Sequence, residues 1–391
     1  MAANTHLEHL EDYVLTDIDH CINIITDISS HNVRTISTIK YDGSPAIIFG
    51  HNPDNGMFFL GTKSVFNKTP KINYSVSDIL QNHSKSKGLM DKLVYIYAYL
   101  DKHKSQFPGI YQADLMCTAD DIVYREEVTE SDYLGRTTIA KHLNFSPNTL
   151  TYHVLNEKLI DDIKNAKMTI AVHTQYDSLT NPTPIFITGS TDAQVINDDI
   201  VMLPIQVPIT NIQTNKWTYG RIIKKYQELD PVLLAEFSNT EYPELFKIFE
   251  NHIIKTEGEQ IKGRGTKDDQ GPNSDCFLSW IIDRRVNNIK NLKTTAGKLK
   301  YHKLMHDDIE FWTRKDMQKF FNELMILRSE VISFKVSIAH VLDLTDKNFN
   351  IKAGDSKTRH EGFVVSTDSW RFKLVHREEF SRLNFLKGKY Q

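Results

Sequence analysis

The chain has 391 residues, 40% of them hydrophobic and 25% charged, and its 47 Lys+Arg stand against 50 Asp+Glu for a formal charge of −3. Such a balance belongs to a globular chain, and at roughly 100–200 residues per domain it predicts two or three packing units. With 17 Gly, 12 Pro and 3 Cys, collagen-like, low-complexity and disulfide-stapled classes are excluded. Cys21, Cys117 and Cys276 show no zinc spacing and read as reduced thiols of a cytoplasmic protein. No run approaches the ~18 apolar residues of a membrane span, so no membrane partner is expected. MAANTHLEHLEDY has no apolar stretch that would make it a signal peptide.

In chain order, Leu7, Leu10, Val14, Ile18, Cys21 and Ile25 recur at helical spacing. From Thr35 the pattern alternates: RTISTIK, PAIIFG and MFFLGT read as strands, with YDGS and NPDNG as turns between them. A helix is expected in GLMDKLVYIYAYLDKH, then strands in GIYQADLMC, NTLTYHV, KMTIAVHTQY and PIFITGS. After about residue 215 the segments GRIIKKYQELDPVLLAEF, YPELFKIFENHIIK, CFLSWIIDRRVNNIK and MQKFFNELMILRSEVISFKVSIAHVLDL are amphipathic at helical period. The polar stretch from Gly258 to Asp275 reads as a mobile surface loop, and HEGFVVSTDSWRFKLV as a hairpin. No internal repeat is present.

The feature richest in chemistry is Lys40-Tyr41-Asp42-Gly43-Ser44-Pro45, a lysine at a strand end followed by an Asp-Gly turn. A lysine amine becomes a nucleophile when its surroundings favour the neutral form. Taken by itself, the same stretch is also an ordinary hairpin turn beside a lysine. A second feature is the pair of strands from Glu361-Gly362-Phe363-Val364 to Trp370-Arg371-Phe372-Lys373. A turn at Asp368-Ser369 makes Glu361 and Lys373 neighbours at the open end of the hairpin, with Arg371 and Lys373 on one face. An acid beside two cations can seat a metal and a phosphate, or be a surface ion pair worth under ~1 kcal/mol.

Together these motifs resemble the covalent nucleotidyltransferase superfamily of ATP-dependent polynucleotide ligases and capping enzymes. Its KxDG motif is matched by Lys40, Asp42 and Gly43, its EGhV motif (h apolar) by Glu361, Gly362, Phe363 and Val364, and its terminal basic strand by Arg371 and Lys373. GTKS, with Lys63 and Ser64, stands where the family carries a serine-arginine strand; Asp114 stands for an acid that contacts ribose or metal. In AVHTQY either His173 or Tyr176 would stack on the base. Pro45 departs from the pattern, since several relatives carry a basic residue there. Only eighteen residues follow Lys373, so the OB-fold of DNA ligases and capping enzymes is not expected, and the likeness leans to phage-type RNA ligases.

The resemblance implies an α+β fold: an antiparallel nucleotidyltransferase (ligase adenylation) core over 35–210 and 346–391, an N-terminal helical segment over 1–34, and a helical insertion over 211–345. It implies an ATP-dependent RNA ligase, with DNA ligase, another nucleotidyltransferase or a catalytically inactive relative as alternatives. Lys40 would be the nucleophile, with Glu361 and Lys373 catalytic beside it. Asp42, Gly43, Lys63, Asp114, His173, Arg371 and Lys373 would contact ATP, and Asp114 and Glu361 would hold Mg²⁺ or Mn²⁺.

The expected insertion carries one strongly basic run. Between Ile281 and Met305, Arg284, Arg285, Lys290, Lys293, Lys298, Lys300 and Lys303 face a single acid, Asp283. With Trp280, Tyr301 and His302 nearby, it reads either as an RNA- or DNA-binding face or as a solvated helix surface. His6 and His9, spaced by three among Glu8, Glu11 and Asp12, could approach a metal or phosphate, or belong to a surface helix with local ion pairs. No GxGxxG or P-loop is found.

Overall fold

The structure, a computed structural model, describes residues 7–30, 33–129, 138–187, 189–207, 216–257, 273–375 and 377. It divides into two compact units. The first comprises chiefly Ile36–Thr210 and Leu342–Arg371, and the second Glu8–Thr35, Asn211–Val341 and the chain from Phe372 onward. His6 and residues 258–272 of the polar stretch lie outside the described residues.

Two helices, α1 (Leu10–Thr16) and α2 (Ile18–Ser30), open the described chain and belong to the second unit. The β-rich unit then begins with β1 (Ile36–Lys40), β2 (Ala46–His51) and β3 (Phe58–Gly61). Helices α3 (Val76–Asn82) and α4 (Lys87–Lys102) follow, then β4 (Ile110–Thr118), β5 (Val123–Thr129), β6 (Thr138–Phe145) and β7 (Thr151–Val154). After α5 (Glu157–Asn165) come β8 (Met168–Tyr176), β9 (Pro184–Phe186), β10 (Gln194–Ile196) and β11 (Ile200–Met202). The helical unit resumes with α6 (Lys216–Glu228), α7 (Pro231–Ser238), α8 (Tyr242–Glu257), α9 (Ser274–Asn291), α10 (Thr295–Thr313) and α11 (Lys315–Asp343). Strands β12 (Phe349–Ala353), β13 (Ser356–Thr358), β14 (Gly362–Ser366) and β15 (Arg371–Val375) end the described elements.

The fold is therefore mixed α and β, with largely antiparallel sheets. The largest runs β10–β11–β8–β4–β2–β3, with β9 on β8 and a single parallel contact between β11 and β8. A second runs β13–β12–β7–β6–β5, and a third β1–β14–β15. Period-two alternation splits the largest sheet between two cores. Ile47, Phe49, Ala113 and Leu115 pack with Leu93, Ile96 and Leu100 of α4, while Ile48, Ile110 and Tyr176 pack with Phe59 and Val65. Ala46 lies opposite Asp114 and Ile48 opposite Gln112, so Asp114 faces away from the α4 core.

Several expected segments are divided or displaced. GRIIKKYQELDPVLLAEF is two helices, because Asp230 caps α7 and Pro231 occupies its first turn. β3 stops at Gly61, so Lys63 lies in a 3₁₀ turn, Lys63–Phe66, rather than on a strand. The basic run is a helical hairpin, α9 and α10, with its bend at Leu292–Thr294.

Candidate functional site

Lys40 ends β1, where Gly362 of β14 lies opposite in antiparallel register. That register brings Glu361, one residue before the strand, to the lysine: Lys40 Nζ donates to Glu361 Oε2 in a tight ion pair. Lys40 keeps 37% of its side chain exposed, whereas Glu361 keeps 15%. Burial raises the Glu361 carboxyl above its ordinary value; Lys40 pulls the other way, and the nearby charges of Asp42 and Asp114 add to the rise.

The turn after Lys40 is held from beneath. Tyr41 is buried, donates its hydroxyl to Pro204 O at 2.8 Å, and meets His360 edge-on at 5.6 Å between ring centroids. Burial drives its phenol well above the usual range, and the Asp346 charge adds to this. Asp42 is 6% exposed and turns its carboxylate to the 148–150 turn. It accepts from Asn148 Nδ2 at 2.7 Å, Thr149 N at 2.8 Å, Leu150 N at 3.2 Å, and the Thr149 hydroxyl. Its backbone N–H donates to the Tyr152 hydroxyl at 2.8 Å. What the structure shows for Asp42 is a clamp on the loop, with its oxygens engaged by protein donors.

Gly43 lets this loop lie against β4. A Cβ there would sit 2.5 Å from Asp114 Cβ and 2.9 Å from Leu115 O, well inside contact distance. Ser44 N donates to Leu115 O at 3.0 Å and Leu115 N to Pro45 O at 3.1 Å, which ties the two segments together. Asp114 therefore stands directly under the Lys-x-Asp-Gly turn.

His173 arrives by a bulge. Gln112 pairs with Thr174 and Ala113 with Val172, so His173 is the extra residue on β8. Bulges re-aim side chains, and here Nε2 comes to 3.6 Å from Asp114 Oδ2 while Nδ1 lies 2.9 Å from Thr174 Oγ1. Tyr176, the other base-stacking candidate, is buried; its hydroxyl donates to Gln112 at 2.7 Å and its ring meets Phe66 edge-on. Of the two, His173 retains an accessible ring.

One constellation thus gathers Lys40, Glu361, Asp114 and His173, with Asp42 and Gly43 shaping its loop. Lys63 is exposed in its 3₁₀ turn. Arg371 and Lys373 alternate on β15 with buried Phe372 and Leu374. Burial lowers the Arg371 guanidinium from its ordinary value, opposed by Tyr176. Among the described residues, no group of three or more His, Cys, Asp or Glu side chains is gathered as a metal site.

With this geometry in view, comparison with known proteins gives one match: the model for the family of unknown function DUF6267 covers residues 4–389. The chain belongs to that family. No curated protein and no solved structure matches it.

In this family member the proposed nucleic-acid residues separate into two kinds. Arg284, Lys290, Lys293, Lys298 and Lys300 are exposed on α9, α10 and the bend between them. Arg285 is not: it is 5% exposed, donates from Nε to Asp308 Oδ2 at 2.8 Å, and pairs with Glu241. Its guanidinium is consumed inside the helical unit, which removes it from the phosphate-binding set. Nor do His9, Glu11 and Asp12 form a surface helix, since all three are buried.

Sequence reasoning missed the groups that hold the site rather than fill it. His360 Nε2 sits 2.6 Å from Asp346 Oδ2, both buried, directly before Glu361. Tyr152 supports the Asp42 amide from another sheet. The adjacency of His360 to Glu361 was the only local signal for the first. Nothing local marks the second.

Proposed function

We propose that this protein is an ATP-dependent nucleotidyltransferase, an RNA ligase that works through a lysyl-AMP intermediate. The observation that carries the reading is the contact of Lys40 with Glu361, drawn from 321 residues apart, beside Asp114. The order of the Lys-x-Asp-Gly and Glu-Gly motifs and the antiparallel sheets support it.

In the first step the Lys40 amine attacks the α-phosphorus of ATP, a P–N bond forms, the bond to pyrophosphate breaks and a proton leaves the nitrogen. An ammonium held in a salt bridge has no lone pair, so the Lys40–Glu361 pair must open as the triphosphate docks. A 5′-phosphate oxygen then attacks the AMP phosphorus and releases the lysine amine. Finally a 3′-hydroxyl attacks that 5′-phosphate, and AMP leaves. Each step is phosphoryl chemistry governed by positioning and charge neutralisation. Lys373 and Arg371 take the phosphate-neutralising role that the motif order gives them, and His173 is the candidate for stacking on the base. Bound with ATP, Mg²⁺ would neutralise phosphate charge. Glu361 and Asp114 are hard oxygen donors of the kind it accepts, one or two carboxylates being the usual protein share beside phosphate and water oxygens.

Incubation with α-labelled ATP and Mg²⁺ tests the reading. Covalent label is expected on the wild type and none on Lys40→Ala, while Glu361→Gln should label at least about a hundredfold more slowly. An unlabelled wild type ends the enzyme reading; a label surviving Lys40→Ala removes the nucleophile. Nicked RNA, single-stranded RNA and nicked DNA offered in parallel identify the acceptor.

A further inference from the structure

We infer that the exposed basic surface of the α9–α10 hairpin, from Arg284 to Lys303, is a docking surface for a single-stranded polynucleotide, bound through its phosphates. The inference does not depend on the chemistry proposed at Lys40.

Three observations lead there. First, the segment has no core: from 286 to 307 no residue is fully buried. The hairpin is fastened at its base, where Arg285, Asp308 and the Tyr242 hydroxyl form one buried hydrogen-bonded group with Phe277, Ile281 and Trp312 around it. Second, the exposed charges carry one sign. Arg284, Lys290, Lys293, Lys298, Lys300 and Lys303 are all exposed, and the sequence from Arg284 to His306 contains no Asp or Glu. Among the described residues none of the six forms an ion pair, although cations elsewhere in the unit do. Lys225 pairs with Glu228 at 2.8 Å, Arg221 with Glu330 at 3.0 Å and Lys319 with Glu323 at 3.8 Å. Third, one of these charges is placed against local stability, although Lys290 in the last turn of α9 is not. The first turn of α10 has no acid, and Lys298 follows directly, near the positive end of the helix dipole.

Six like charges without a core or counter-charge repel one another, so they weaken the free protein and become favourable only beside a polyanion. Tyr301 and His302 lie between Lys300 and Lys303, with His302 exposed and Tyr301 half-buried. An alternation of cations with flat rings fits a strand whose bases are unpaired and can stack. A duplex, an acidic protein or an anionic membrane would use the charge and leave the rings idle.

The test is anisotropy of a labelled single-stranded RNA with the full chain, read without ATP so that failure of lysyl-AMP formation leaves the result intact. If all six cations meet phosphates, log Kd should rise with log salt at a slope of about 4. The triple variant Lys290→Gln/Lys298→Gln/Lys300→Gln should bind at least about tenfold more weakly, with the slope lower by about 2. Its thermal melt should lie at or above that of wild type, because the three side chains are exposed and unpaired and their neutralisation relieves like-charge repulsion. The control Lys224→Gln/Lys225→Gln should bind as wild type. The inference is overturned by absence of RNA binding in the wild type, by an unchanged slope in the triple variant, or by an equal loss in the control. Tighter binding to an RNA duplex, polyglutamate or phosphatidylserine vesicles than to the single strand overturns it as well.

Discussion

Asp42 shows how one side chain can match a motif and yet be occupied elsewhere. Its carboxylate meets four protein donors, and its charge makes each of those hydrogen bonds stronger than a neutral one. Asp42→Ala leaves two backbone N–H groups, the Thr149 hydroxyl and the Asn148 amide without their acceptor in a half-buried turn. The variant should therefore lose about 2–4 kcal/mol of stability in urea unfolding. A variant that melts like wild type but binds ATP poorly would move Asp42 from the loop to the ligand. Lys40 and Glu361 could be singled out from the local strings Lys-x-Asp-Gly and Glu-Gly-Phe-Val, whereas Asp114 was singled out only through the resemblance. That Asp42 clamps residues 148–150 was not, because the partner turn lies about a hundred residues away and carries no mark of its own.

At the scale of elements, termini were the hardest feature to place and caps account for them. The amphipathic pattern runs unbroken from Gly220 through Phe237, yet the chain stops α6 at Glu228 and restarts α7 at Pro231. Asp230 Oδ1 accepts from Val232 N at 2.8 Å and Leu233 N at 3.2 Å, satisfying two amides that a proline-led helix leaves open. Asp230→Ala should lower stability by about 1 kcal/mol, seen as an earlier thermal midpoint; no change would mean that α7 is held by packing alone. Strands β5 and β6 escaped sequence reading for a different reason. VYREEVT carries charges on both faces, and in TIAKHLNF Lys141 interrupts the apolar face of Ile139, Leu143 and Phe145, so the alternation that reveals a half-buried strand is broken. By contrast β2, β3 and β8 were visible because buried strands read as apolar runs.

At the scale of the whole molecule, the helical unit is organised around a buried charge network that no segment announces. Glu11 pairs with Lys335; Asp12 pairs with Arg377 at 2.9 Å; Glu250 pairs with Arg328 at 2.7 Å and with Arg377 at 3.0 Å. His9 lies among these cations, with Lys373 opposite it in a backbone bridge and Lys373 N donating to Glu8 O at 3.2 Å. Burial lowers the His9 imidazole well below its ordinary 6.5, and Lys335, Lys373, Arg377 and Arg328 deepen the effect. A depressed histidine gives stability that is full above the unfolded value of about 6.5 and lost as pH falls, because only the unfolded chain takes up the proton. Unfolding free energy should fall from pH 6.5 towards 5 by up to about 1.4 kcal/mol per pH unit, and His9→Gln should flatten that part of the profile. The raised Glu250 carboxyl acts in the opposite sense, since the folded state protonates it first; the difference between wild type and His9→Gln removes its contribution. Equal slopes in both proteins would place the titration on another group.

Sequence by itself determined the local quantities: where apolar period changes from two to 3.6, where a lysine precedes an Asp-Gly turn, and where seven cations face a single acid. These depend on neighbours along the chain, and the physics that reads them is short in range. Only the tertiary structure decided which charges are spent on the protein. It sends Arg285 inward to Asp308 and Glu241 and leaves Arg284 at the surface, though the two are adjacent in sequence. It also joins Lys40 to Glu361 through the β1–β14 register. Burial and long-range pairing set those outcomes, and a desolvated charge is stable only where its partner arrives from another part of the fold.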